Sequence, residues 1–140
     1  MKKVFLFLAN GFEDIEAVSS IDILRRGGLD VTTVSISNTL QVASAHNVNM
    51  TADVLFNDAD FSEAQLLVLP GGLPGADNLK NHDGLRQLLI DRAAKGCRVA
   101  AICAAPIVLG NARLLDGKKA HVTPVSKKHW ETPAMWQKVW

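Results

Sequence analysis

The sequence predicts an α/β fold: a mainly parallel sheet with helices on both faces. Three observations carry this prediction. Short, continuous apolar runs recur along the chain, as strands covered on both sides require. Segments with apolar residues at three- and four-residue steps follow them, the pattern of amphipathic helices. Gly and Pro punctuate the junctions. Strands that alternate with helices form parallel sheets. The chain has 140 residues, one domain's worth. Two domains of about 70 residues each would sit near the lower limit for a self-sufficient core.

The elements follow in order. Lys3 to Leu8 is apolar after its basic start and predicts a first buried strand. Asn10-Gly11 breaks it. Ile15, Val18, Ile21 and Leu24 then recur at three-residue steps and predict a helix with these residues on its buried stripe. Glu13, Asp14 and Glu16 crowd its first turn, and Arg25 and Arg26 its last, which suits the helix dipole. Gly27-Gly28 stops it. Leu29 to Ile36 is β-branched and predicts a second strand. Gln41 to Phe56 alternates weakly and predicts one or two peripheral strands. Leu66 to Leu69 is a short buried strand closed by Pro70-Gly71-Gly72. Asp83 caps a predicted helix from Gly84 to Lys95, and Gly96 ends it. Arg98 to Ile102 is another strand, and Ala104 to Asn111 another short helix.

Composition excludes several function classes. Hydrophobic residues make up 48% and charged residues 21%, with a net charge of +1, so no overall field gathers nucleic acid or an acidic membrane surface. No apolar run approaches the roughly 20 residues that span a bilayer. The apolar start, Val4 to Ala9, is too short for a signal peptide and meets Asn10, Glu13 and Asp14 at once. The sparse cysteines, Cys97 and Cys103, predict a reducing cytoplasm without disulfides. Two thiols cannot build a four-ligand zinc site, and His46, His82, His121 and His129 show no ligand spacing, so no metal is expected.

Ligands of such sheets bind outside the carboxyl ends of the strands. Three segments converge there: Gly11 to Glu16, Pro70 to Asn78, and Cys103 to Pro106. Cys103 falls at a strand-to-helix turn, where a strained backbone holds a nucleophile exposed. A helix N-terminus there also favours the thiolate. Cys97, before the strand, predicts plain packing. Gly71 and Gly72 let backbone N–H groups approach a ligand, as an oxyanion hole needs. Three acids in one turn repel each other, and that repulsion can push one of them, Glu16, inward.

Together, Ala9-Asn10-Gly11-Phe12-Glu13-Asp14-Ile15-Glu16-Ala17, Val68 to Leu79 and Ala100-Ala101-Ile102-Cys103-Ala104-Ala105-Pro106 resemble the ThiJ/PfpI superfamily over about residues 1 to 120. Within it they are similar to the branch of the Parkinsonism-associated protein deglycase. The resemblance implies a flavodoxin-like three-layer sandwich that usually dimerises. It implies Cys103 as nucleophile and Glu16 as the protonated acid touching its sulfur. It implies the N–H groups of Gly72 and Ala104 as the oxyanion hole. The intracellular-protease branch usually has His after the cysteine; Ala104 stands there in this chain.

Family members place a His or Tyr before Pro just beyond Lys119. In this chain Thr123 precedes Pro124, and threonine is no base. His121, on the same side of an extended strand, is a candidate substitute that no sequence pattern supports as a base. Residues 120–140 predict an atypical tail, so the fold is expected to be C-terminally incomplete. All three tryptophans lie there, and residues 118–140 carry five Lys against one Glu. Permitted codons for this stretch, read from the third base, spell Cys-Tyr-Pro-Gly-Phe-Glu, a stretch similar to this branch, as a truncating frameshift would leave. Such a chain is expected to be less stable and prone to self-association.

The expected function is a cysteine-dependent enzyme of the glyoxalase or deglycase type, acting on reactive carbonyls or glycated adducts without cofactor or metal. The competing function is a non-catalytic thiol protein, a redox sensor or chaperone-like stress protein. Thiazole phosphate synthesis, linked to the family name, finds no phosphate-binding feature, and Ala104 speaks against peptidase action. The expected partners are the small carbonyl substrate and a second copy of the chain.

Overall fold

The computed structural model describes residues 2–123 and 137–138. Five strands form one parallel sheet in the order β5-β2-β1-β6-β7. These are β1 (Lys3–Leu8), β2 (Asp30–Ser35), β5 (Val54–Leu55), β6 (Ala64–Leu69) and β7 (Arg98–Ala101). The sheet is covered on both faces, as its continuous apolar strands require. Val4, Leu6 and Leu8 pack with Ile21 of α1 (Asp14–Arg26) on one face. Phe5 and Phe7 point the other way, into a cluster with Leu79 of α2 (Gly75–Lys80), Leu85 and Leu89 of α3 (Asp83–Ala94), and Ile107 and Val108 of α4 (Pro106–Asn111). A two-residue side-chain period thus splits one strand between two cores.

The peripheral segment differs from expectation. It holds three strands. β3 (Gln41–Ala43) and β4 (Asn49–Thr51) form a separate antiparallel hairpin, while β5 joins the main sheet beside β2. The short α2 lies between β6 and α3 and has too few residues to show a helical period. His82, not Asp83, caps α3: its Nδ1 accepts the Leu85 N–H at 2.9 Å. Near the end of the chain, β8 (Lys119–Ala120) pairs in parallel with β9 (Gln137–Lys138). Residues 124–136 and 139–140 of the predicted atypical tail, with its tryptophans, lie outside the described residues.

The predicted stripe of α1 is half wrong. Ile21 is buried at 6% exposure, but Ile15 stands 73% and Val18 54% exposed. The helix meets the sheet through Ala17 and Ile21, which the small Ala17 side chain allows, with Leu24 packed at their edge, while Ile15, Val18 and Ile23 face outward. Stability measurements distinguish the two faces. Ile21→Ala should lower the unfolding free energy by about 2–4 kcal/mol, while Val18→Ala should change it by less than about 0.5 kcal/mol, both read from urea midpoints.

Candidate active site

The carboxyl ends of β1, β6 and β7 bring the three predicted segments together. Cys103 lies just beyond β7 with φ +59°, in the left-handed region that a residue with a Cβ rarely enters. Such strain costs about 1–3 kcal/mol and persists where the surroundings hold it. Two bonds hold it here. The Thr123 N–H donates to the Cys103 carbonyl at 3.0 Å, and Thr123 Oγ1 donates to Cys103 Sγ at 3.1 Å. The turn is longer than predicted: Cys103 to Ala105 precede α4, which begins at Pro106. Ala104 directs its amide at the Cys103 sulfur.

Gly71 explains how these groups come so close. A Cβ at this position would lie 2.7 Å from Glu16 Oε2, 2.8 Å from Cys103 Cβ and 2.9 Å from the Ala104 nitrogen. Gly71 also donates its N–H to Glu16 Oε2 at 2.7 Å. Gly72 stands at φ +90°, and a Cβ there would fall 2.4 Å from the Glu13 nitrogen. The glycine pair therefore permits close approach of the first helix, the β6 loop and the cysteine turn. Among the described residues, neither the Gly72 nor the Ala104 amide donates to a backbone carbonyl.

The three acids of α1 are each engaged separately. Glu13 caps the helix by accepting the Glu16 N–H at 3.1 Å. Asp14 accepts from Ser44 Oγ and bonds His46 Nδ1 at 2.8 Å, which fastens the β3–β4 hairpin to the helix. These bonds lower the pKa of Asp14, the Ser44 hydroxyl first among them, and Asp14 in turn raises that of His46. Glu16 turns inward to Gly71 and Cys103. Glu13, Asp14 and His46 offer ligand atoms within 4.8 Å of one another. Linear spacing concealed this grouping, because His46 is 32 residues from Asp14. Capping and hairpin docking already occupy the two carboxylates.

The thiol differs from expectation. Burial raises the Cys103 pKa above its ordinary value, and Glu16 adds to the rise. The hydroxyl of Thr123 and the amide of Ala104 oppose it without reversing it. Partial burial and a carboxyl beside the sulfur thus oppose the expected bias toward thiolate. Burial also raises the pKa of Cys97, which is 9% exposed and packed in the core as predicted. Both cysteines are free thiols. His121 is exposed, and among the described residues its side chain has no bond to the site. Thr123, which cannot act as a base, is instead the hydroxyl that touches the nucleophile.

A family model described as the DJ-1/PfpI family matches residues 2–136. The chain belongs to the DJ-1/PfpI family. The match extends beyond residue 120, past the end of the motif resemblance. Protein DJ-1 homolog B of Arabidopsis thaliana is 46% identical over 125 residues, 89% of this chain and 28% of that protein. The chain thus spans under a third of that relative. A protein of Caenorhabditis elegans named glutathione-independent glyoxalase is 34% identical over 97 residues, 69% of this chain and 51% of that protein. The crystal structure of a DJ-1 superfamily protein from Salmonella typhimurium superposes with a TM-score of 0.90 at 33% identity, covering 99% of this chain and 74% of that one.

Two substitutions probe the site. Thr123→Val keeps the side-chain shape but removes the donor to sulfur, so the thiolate fraction of Cys103 falls. Its alkylation by iodoacetamide at pH 7 should slow by about 2–10-fold, followed by mass spectrometry of the labelled peptide. Gly71→Ala forces a Cβ against backbone and should destabilise the fold by about 1–3 kcal/mol in thermal or urea unfolding.

Proposed function

We propose that the protein is a cysteine-dependent enzyme of the glyoxalase or deglycase type, acting on small reactive carbonyls or their adducts. One observation carries this reading. A cysteine at φ +59° has its sulfur contacted by a hydroxyl and flanked by a carboxyl, beside two amides free of backbone carbonyls. The glyoxalase named among the relatives favours the same chemistry. Two free thiols suit a reducing compartment, the cytoplasm. Among the described residues, no helix is long and apolar enough to cross a membrane.

The chemistry on methylglyoxal runs as follows. Sulfur attacks the aldehyde carbon while the Cys103 thiol proton passes by way of Glu16 to the aldehyde oxygen, giving a hemithioacetal. The Gly72 and Ala104 amides stabilise the oxyanion that develops. Glu16 removes the proton from the former aldehyde carbon and returns one to the neighbouring carbon through an enediol. The aldehyde carbon is thereby oxidised to a thioester as the ketone carbon is reduced to an alcohol. Water cleaves the thioester, releasing lactate and the free thiol. No external oxidant, metal or cofactor enters the balance.

We also propose a homodimer. Ile15, Ile23 and Ile102 line an apolar groove of about 540 Å³ between α1 and β7, a face suited to a second copy. Sedimentation giving only a monomer at micromolar concentration would remove the dimer without touching the chemistry.

Lactate formation from methylglyoxal tests the activity, with contaminating glyoxalases excluded. Cys103→Ala should abolish turnover. Glu16→Gln should cost about 10²–10⁴-fold while speeding alkylation of Cys103, because Glu16 raises the thiol pKa. Turnover should also climb as pH rises above neutrality, since burial keeps the thiol protonated there. Full activity in either variant defeats the mechanism. No turnover in any form, with selective peroxide oxidation of Cys103, would point to a thiol sensor instead.

A further inference from the structure

A second cavity, of about 650 Å³, opens at the other end of the sheet, where β1, β6 and β7 begin. Lys2, Arg92, Lys95 and Arg98 line it against one acid, Glu63. Arg98 starts β7 and Cys103 follows its end, so roughly 15 Å of strand separate this cavity from the thiol.

Ion pairing sets these cations apart. Arg25, Arg26, Arg86 and Arg113 each pair with an aspartate at 2.8–3.1 Å. Among the described residues, Arg92 and Arg98 make no ion pair, and neither do Lys2 and Lys95. The arginines left without carboxylates are therefore the two that line this cavity. Arg92 is held in place: its Nη2 donates to the Ala64 carbonyl at 2.8 Å. Its Nε is buried and has no hydrogen-bond partner among the described residues. The Arg92 side chain also faces the Cys97 thiol, a weak acceptor that leaves its charge uncompensated.

We propose that this cavity binds a small phosphorylated molecule carrying at least two negative charges. Two guanidinium forks match the oxygen geometry of phosphate, and two lysines add point charges. Four cations against one acid suit a dianion or trianion. Arg92 and Lys95 stand at the carboxyl end of α3, where they offset the negative end of the helix dipole. Leu29 and Leu66 provide an apolar wall for an organic portion, and the volume lies within the roughly 300–1,000 Å³ of small-molecule sites.

Calorimetric titration of the full chain with ADP and with pyrophosphate at low ionic strength tests the site and needs no turnover assay. Saturable binding of one equivalent is expected. Arg98→Glu and Lys95→Glu, both at exposed side chains, should each weaken it by at least about tenfold. Lys118→Glu, outside the cavity, serves as the control and should leave it unchanged, with melting curves confirming that all variants fold. ADP binding tighter than pyrophosphate would seat the organic portion on the apolar wall; equal affinities would assign recognition to phosphate alone. No saturable binding of either probe at ~5 mM, or an equal loss in Lys118→Glu, would overturn the proposal.

Discussion

The close approach at Gly71 governs the carboxyl end of this molecule. Three segments far apart in sequence meet where one missing Cβ leaves room for a carboxylate oxygen, a cysteine Cβ and a backbone nitrogen. Any larger residue would separate Glu16 from Cys103. Burial of the same turn desolvates the sulfur. Geometry and electrostatics thus share one cause. What brings the carboxyl to the nucleophile also makes the nucleophile harder to ionise.

Thr123 partly offsets that conflict. It bonds Cys103 twice, once through each main chain and once through the side chains, so it both holds the strained residue and stabilises negative charge on sulfur. A hydroxyl can do this without taking up a proton, whereas a histidine would add a second titrating group. The hairpin docked through Asp14, Ser44 and His46 gives the first turn of α1 a comparable anchor. With Asp14 and Glu13 committed to other partners, Glu16 is the acid of that turn left to face the thiol.

The parallel sheet gives the molecule two chemically different ends. At the carboxyl ends of the strands, turns and amides surround a thiol. At the amino ends, unpaired cations gather around a cavity. Between them the strands are buried on both faces and joined by continuous ladders, so the ends are held at a fixed separation.

Much of this was legible in the linear sequence because it depends on local rules. Apolar runs specified β1 with its observed limits, and β2, β6 and β7 within one or two residues. The Gly, Pro and Cys positions at strand ends marked the three segments that build the site. Short elements escaped: α2 has six residues, too few for a period, and β5 has two. The outward turn of Ile15 and Val18 was equally hidden, because a helical stripe does not say how much of it a sheet will cover. Only the tertiary structure decided the environment of Cys103. Desolvation and the contacts of Glu16 and Thr123 depend on segments up to 87 residues away from the cysteine, and no spacing along the chain encodes them. The unpaired cations at the far end were hidden for the same reason: ion pairing is a property of neighbours in space.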